Sequence, residues 1–419
     1  MRSRFFIALR YLLGRAHEGG RYLRGAAAGI AVSLVPIIVT LIVADGMIRG
    51  ITDRYLELGT GHLAVYDYSG GGVPAETVSL IGELPGVRGV WREQDGLGVL
   101  VGKGGKTGAT IRAVEPSFWD DEGSRRYLVT LAGIPKPESD RDVLLGEELA
   151  SSIGAAVGDT VRIMTVRLTG DGRSVPRMTP FTVRGIVSSG YHELDALWCI
   201  TTFEGGSRIF SQSLSSSAIV VKVNDPYGDI DEVSWNIFSL LGMGYRVSTW
   251  KEMLRSQYSS YESTRQLLLF IMALIVAVAA VNVSSATAML VIERQRDIAV
   301  LKAAGASPSF ISGVFLWGSF LTGLTGALAG IAAGLLIGNY INPLVRGLES
   351  ALSLVSGLFH GGAVRILDPG FYLQTIPIII NRAAVFLIGF FTILCSILAS
   401  WIPARRAGKL RPLDLLRKY

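Results

Sequence analysis

Four stretches of the chain are long, apolar and almost free of charge: residues 25–48, 266–292, 310–338 and 383–402. A membrane helix needs about 20 mostly apolar residues, and each stretch reaches that length. The first has no charge before Asp45, the second and third have none, and the fourth opens after Arg382 and stops at Pro403. A buried soluble helix seldom lacks charge on every face over such a length, so the pattern predicts four membrane spans. Between the first two spans the pattern changes. A helix is predicted at 75–84 after Pro74, with short β-prone runs at 87–93, 98–102 and 109–114. A second group follows at 143–145, 160–166, 181–187, 196–201 and 219–223, with a helix at 146–153. Helices at 231–241 and 251–265 lead back to the second span. The expected fold is an α-helical membrane protein with four transmembrane helices and a large α+β extracytoplasmic domain inserted between helices 1 and 2.

Charge sets the orientation. Residues 1–24 carry Arg2, Arg4, Arg10, Arg15, Arg21 and Arg24 against Glu18 alone, and 403–419 carry six basic residues against Asp414. Arg294, Arg296 and Lys302 lie between spans two and three, whereas 339–382 has only Arg346, Arg365 and Arg382. By the positive-inside rule both termini and 293–309 are cytoplasmic, and 49–265 and 339–382 lie outside. Phe5, Phe6, Leu9, Leu12 and Leu13 share one helical face beside Arg4, Arg10 and Arg15, as in an interfacial helix over 1–24. No small-residue cleavage pattern follows the first span, so it is expected to stay attached. The net charge of +6 is uneven: residues 49–265 hold 22 Lys+Arg against 27 Asp+Glu, so the basic excess flanks the spans. That placement points to anionic lipid and topology, not to nucleic acid.

Enzyme signatures fall away on inspection. Gly102-Lys103-Gly104-Gly105-Lys106-Thr107 lacks the first Gly of a phosphate loop, since Leu100 stands there, and β-prone sequence follows it. It reads as a Gly-rich hairpin. The four histidines are scattered, and His192-Glu193 with Asp195 reads as a polar loop, lacking paired metal-ligand spacing. Cys199 has no His partner by spacing, and Cys395 lies inside a span, so neither nucleophile nor disulfide is expected. Gly170, Asp171, Gly172 and Pro176 make 168–178 a turn-rich hairpin that projects between two strands.

The membrane part is more informative. Gly326, Gly330, Gly334 and Gly338 repeat every fourth residue, which predicts a tight helix–helix seam within the chain or across a dimer. Asn282, Ser284, Ser285 and Thr287 offer interhelical hydrogen bonds, Pro36 predicts a kink, and the second span should run unbroken into a stalk helix. The connector 293–309 is longer than a turn requires. It predicts a short amphipathic helix with Gly305 as its stop, while Ser307 and Pro308 start the next helix. Its mixture of charges points to a protein partner.

These residues resemble a known family. Glu293-Arg-Gln-Arg-Asp-Ile-Ala-Val-Leu-Lys-Ala-Ala-Gly-Ala-Ser307 is similar to the coupling region of the FtsX-like, MacB-type ABC permeases. So are the small-residue third span and the ending Pro403-Ala-Arg-Arg-Ala-Gly-Lys-Leu-Arg-Pro-Leu-Asp-Leu-Leu-Arg417. Within that superfamily Phe6-Ile-Ala-Leu-Arg-Tyr-Leu12, Val43-Ala-Asp-Gly46, Val157-Gly-Asp-Thr-Val-Arg-Ile163 and Ala273-Leu-Ile-Val-Ala-Val-Ala-Ala-Val-Asn282 resemble the lipoprotein-releasing LolC/LolE permeases. The resemblance implies a permease in the bacterial inner membrane, not itself an enzyme. It implies a cytoplasmic ABC ATPase dimer that binds ATP and Mg, with no cofactor in this chain. A second permease copy or related permease, a periplasmic lipoprotein chaperone, the lipoprotein substrate and membrane lipids complete the expected partners.

The same resemblance assigns roles to residues. Glu293, Arg294, Gln295, Arg296, Asp297, Ile298, Leu301 and Lys302 would couple to the ATPase. Val43, Ala44, Met47 and Ile51 of the first span would cradle the lipoprotein with Leu267, Leu268, Phe270 and Ile271 of the second. Gly172, Pro176 and Arg177 would form a chaperone-docking hook. The competing functions are a MacB-like efflux permease, which usually carries a fused ATPase, and an FtsX-like signalling permease, whose external domain is typically much smaller.

Overall fold

The computed structural model describes residues 6–8, 19–68, 74–168, 174–210, 216–358, 373 and 375–410. In chain order the principal helices are α1 Gly19–Arg54, α2 Ala75–Gly82, α3 Glu147–Ile153, α4 Ile230–Leu241, α5 Arg255–Glu293, α6 Gln295–Ala303, α7 Pro308–Asn339, α8 Ile341–Leu358 and α9 Arg382–Lys409. The strands are β1 Leu63–Asp67, β2 Val87–Val101, β3 Lys106–Val114, β4 Val129–Gly133, β5 Asp142–Gly146, β6 Thr160–Leu168, β7 Ser174–Ser188, β8 Trp198–Thr202, β9 Ser216–Val223 and β10 Tyr245–Thr249. Among the described residues four helices are long and apolar enough to cross a membrane: Arg21–Gly59, Arg255–Glu293, Pro308–Asn339 and Arg382–Lys409. The chain divides into a helical unit (1–46, 261–361, 376–419) and a sheet unit (47–260, 362–375).

In the sheet unit the strands hydrogen-bond in the order β10-β1-β9-β2-β3-β8-β5-β7-β4, with β6 pairing β2 and β7. The pairs β3/β8 and β5/β7 are parallel and the others antiparallel. β5 is buried throughout, as a strand covered on both faces must be. The runs expected at 87–93 and 98–102 are one strand, because β3 pairs with β2 continuously from Glu93 to Val101 and carries it across Gly96 and Gly98. The expected helix 251–265 breaks at Leu254, after a Thr249/Glu252 capping box starts Trp250–Met253. β1, β4 and β10 are additional to the expected strands. The Gly-rich stretch at 102–107 spans the β2/β3 turn, where the Gly104 amide donates to the Ile153 carbonyl at 2.8 Å.

In the helical unit α7 is central. A Cβ added at Gly326, Gly330 or Gly334 would lie 2.7–2.8 Å from Ala27 O, Ala31 O or Ile38 Cβ, so the glycine seam joins α7 to α1 within the chain. Gly323 of α7 faces Ser396 of α9. Thr287 of α5 shares hydrogen bonds with Ser319 of α7 at 3.1 Å and Ser400 of α9 at 3.2 Å. Of the four polar residues expected to bond between helices, Asn282 and Ser285 are exposed instead. α1 continues through Pro36, and α9 continues through Pro403 instead of stopping there. Packing holds that last segment, since Ala404 and Ala407 are fully buried and Gly408 meets Pro308 and Ser312 of α7. The loop expected at 339–382 contains α8, whose Leu344, Leu348 and Leu352 recur at helical spacing. Of the expected interfacial helix, 6–8 are helical with Ala8 buried, and Phe5, Leu9, Leu12 and Leu13 lie outside the described residues.

Candidate functional site

The segment expected to couple forms α6, flanked by Arg294 and Ala304, with Gly305 (φ +93°) ending it in the left-handed region. Ile298 and Ala299 are buried, and Ile298 packs with Leu23, Leu290, Phe315 and Ala407, with Leu301 partly buried beside them. The apolar face therefore rests on the chain's own helices. Lys302 Nζ donates to the carbonyls of Gly408 at 2.7 Å and Leu410 at 2.5 Å, satisfying the C-terminal end of α9. Arg294 pairs with Asp297 at 3.1 Å. Glu293 and Gln295 are half-buried. The outward face is Arg296 with Val300, which is 66% exposed, and Ala303 and Ala304 beyond them. Val300 was not among the expected coupling residues, although its position two residues from buried Ile298 puts it on the opposite face.

The eight expected cradle residues differ in exposure. Leu267 and Phe270 of α5 are 61% and 70% exposed, and Ile271 is also exposed. Leu268 packs into the helical core with Met272, Val276 and Ile42. On α1, Val43 and Ala44 are half-buried, whereas Met47 and Ile51 are buried and cannot meet a ligand without rearrangement. Asp45 pairs with Arg265 of α5 at 3.6 Å, which ties the two helices together at this level. Gly46 has its own reason: the Pro377 carbonyl lies 2.1 Å from where a Cβ would stand. That crossing segment is clamped by Asn342, which accepts from Ile376 N at 3.0 Å and donates to its carbonyl at 2.9 Å.

Of the expected hook, Pro176 and Arg177 are exposed strand residues of the β6/β7 hairpin, opposite Val166 and Thr165. Both strands extend into the stretch expected to be turn, to Leu168 and from Ser174. Gly172 lies outside the described residues. Val166, Val175 and Met178 are exposed apolar side chains on the same hairpin.

The sheet unit also holds the end of α1, through groups that sequence spacing did not single out. After Arg54 the helix widens into a π-turn, Tyr55–Gly59. Buried Lys222 of β9 donates to the Leu56 carbonyl and, at 3.0 Å, to Glu57. Buried Arg112 of β3 donates to the carbonyls of Leu58 and Gly59. Glu57 further accepts from Arg88 at 2.9 Å and His62 Nε2 at 3.2 Å. The Val223 amide donates to His62 Nδ1 at 2.9 Å, which assigns the ring proton to Nε2. Burial pushes His62 below its ordinary value and pulls Lys222 down to about 8, against the opposing pull of Glu57. The one available signal was Lys222 itself, a lone cation inside Ile219-Val-Val-Lys-Val223. Elsewhere Asp195 accepts from Ser188 Oγ and Ser189 N, both at 2.7 Å, so it fixes a turn. Burial pushes the Cys199 thiol up to about 12, which leaves it inert.

Two family models match the chain: the MacB-like periplasmic core domain over residues 25–234 and the FtsX-like permease C-terminal domain over 269–412. The lipoprotein-releasing system transmembrane protein LolC of Xylella fastidiosa is 28% identical over 420 residues, covering 98% of each chain. The corresponding LolE protein of Haemophilus influenzae is 23% identical and covers 100% of both chains. Among solved structures, the periplasmic region of MacB from Actinobacillus actinomycetemcomitans aligns with TM-score 0.32 and 14% identity, covering 49% of this chain and 95% of that one. The two family models agree with the four long apolar helices and the sheet unit: this chain belongs to the FtsX-like, MacB-type ABC permeases, and over nearly its whole length it is similar to the LolC and LolE proteins of lipoprotein-releasing systems.

Proposed function

We propose that this chain is the membrane subunit of an ATP-driven machine that extracts lipoproteins from the outer leaflet of the inner membrane and passes them to a periplasmic chaperone. Both termini face the cytoplasm in this reading. A separate ATPase dimer, which binds ATP and Mg, docks on the Arg296–Val300 face of α6, and a second permease completes the transporter. Exposing an acyl chain to water costs about 0.8 kcal/mol per CH₂, so extraction needs both an energy source and an apolar surface. Leu267, Phe270 and Ile271 supply part of that surface, and the exposed β6/β7 hairpin is the element offered to the chaperone.

The observation that carries the mechanism is the continuity of α5. Its 39 residues run unbroken from Arg255 to Glu293, about 58 Å at 1.5 Å per residue. That overshoots a ~30 Å hydrocarbon core and gives one continuous helix leading away from α6. Movement of α6 then passes along α5 without chemistry in this chain.

The test is reconstitution with the co-purifying subunits in liposomes that carry a labelled triacylated lipoprotein. Release to an added soluble chaperone should require ATP and fall more than tenfold in the double variant Arg296→Glu, Val300→Glu. Arg294→Ala should be milder, since its partner Asp297 lies on the same segment. A complex that binds and hydrolyses ATP yet releases no lipoprotein would overturn the proposal and favour efflux or signalling.

A further inference from the structure

Adjacent strands β1, β9, β2, β3 and β8 place alternate residues on one face of the sheet around a cavity of about 210 Å³. Register makes the site: Tyr66 lies opposite Ala218, Asp95 opposite Arg112, and Thr110 opposite Trp198. Tyr55 and Gly59, from the end of α1, and Met253, just before α5, complete the wall.

The charges in this cavity do not balance. Arg112 is committed, with Nε donating to Glu93 at 2.6 Å and its terminal nitrogens to Leu58 and Gly59. Glu93 also accepts from Trp91 Nε1 at 3.4 Å. Asp95 Oδ1 is buried and accepts no hydrogen bond, and its nearest cation, Arg112 Nε, stands 3.8 Å away while serving Glu93. Burial and the neighbouring Glu93 push the Asp95 carboxyl well above its ordinary value. A buried acceptor without a partner calls for a ligand or another explanation. The walls identify its chemistry, because the rings of Tyr55, Tyr66 and Trp198 line the cavity and Trp198 already faces the Arg112 guanidinium at 4.7 Å. Aromatic faces attract cations. A hard divalent ion needs six or more oxygens, whereas here Glu93 and Asp95 share the one Arg112 guanidinium, Asp95 only at 3.8 Å, and much of the wall is carbon. An organic cation fits both features.

We infer that this cavity binds an alkylammonium group, from a free amine or from a lysine side chain of a partner polypeptide, with Asp95 as counter-ion and Tyr55 and Tyr66 as walls. Because its wall includes both the end of α1 and the approach to α5, an occupant ties those two elements together. The inference does not depend on the transport reading.

The test uses the full chain in detergent with n-butylammonium as probe and n-butanol as its neutral counterpart, read by thermal stability and by tryptophan fluorescence. n-Butylammonium should stabilise the protein in a saturable manner, with affinity at least tenfold weaker in Asp95→Asn and several-fold weaker in Tyr66→Leu. n-Butanol should do nothing. Equal response of the wild type and both variants, or equal response to n-butanol, would overturn the inference. Tyr66→Leu keeps the test decisive if Asp95→Asn does not fold. A photoreactive phenylalanine derivative in place of Tyr66 then separates the two sources. Cross-linking to a polypeptide assigns the lysine side chain, and its absence alongside retained amine binding assigns the free amine.

Discussion

At the residue scale, the most consequential side chains are charged groups turned inward. Lys222, Arg112 and His62 hold the end of α1 by its carbonyls and by Glu57. His62 is fully buried and accepts from the Val223 amide, so protonation must break that hydrogen bond. The unfolded chain takes up a proton near pH 6.5 that the folded site resists. His62 therefore contributes full stability above pH 6.5, and this is lost as pH falls below it. Melting of the full chain in detergent should show that loss, and His62→Gln should flatten it over pH 5–6.5; an unchanged pH profile in the variant would rule the account out. Thr287 gives a second residue-scale prediction. Its hydroxyl links Ser319 and Ser400 in the apolar interior. Thr287→Val keeps the shape and removes the bonds, so it should cost about 0.6–1.7 kcal/mol, the range for interhelical hydrogen bonds in membranes. Thr287 was legible as an interhelical hydrogen-bonding residue but its partners were not, and the network around Glu57 was not legible at all, because sequence spacing shows that a polar residue interrupts an apolar run but not which strand or helix lies opposite.

At the element scale, α7 shows what periodicity can and cannot say. The four-residue glycine register predicted a close seam correctly and left its partner open. The partner is α1, met at Ala27, Ile30, Ala31, Leu34 and Ile38. Overpacking a close contact costs about 1–3 kcal/mol, so Gly330→Val should destabilise the protein by that order. Gly347 of α8 has open space around its missing Cβ, and Gly347→Ala should be neutral or stabilise by about 0.5–1 kcal/mol. Matched unfolding curves for the two variants check this contrast. α6 was also legible, because its stop and the following cap are written in Gly305, Ser307 and Pro308. Its orientation was not. Tertiary packing buried Ile298 and committed Lys302 to the end of α9, which leaves Arg296 and Val300 outward. α8 was read as part of a loop, although its leucines recur at helical spacing.

At the scale of the whole molecule, the four long apolar helices and the α+β composition of the sheet unit could be read from hydropathy and alternation. The ten-strand order could not, because β1, β9 and β10 join segments more than 150 residues apart. Of the residues expected to cradle a lipoprotein, Leu267, Phe270 and Ile271 are exposed, whereas Met47 and Ile51 are buried. The central claim is that acyl chains ride on the exposed part of α5. It is tested most directly with a triacylated lipoprotein whose chains carry a photoreactive diazirine, reconstituted with the complete transporter. Before ATP is added, cross-links should concentrate on Leu267, Phe270 and Ile271 over the equally exposed Phe386 and Leu387 of α9, and ATP with a soluble chaperone should abolish them. Cross-links spread evenly over α5 and α9, unchanged by ATP, would contradict the account.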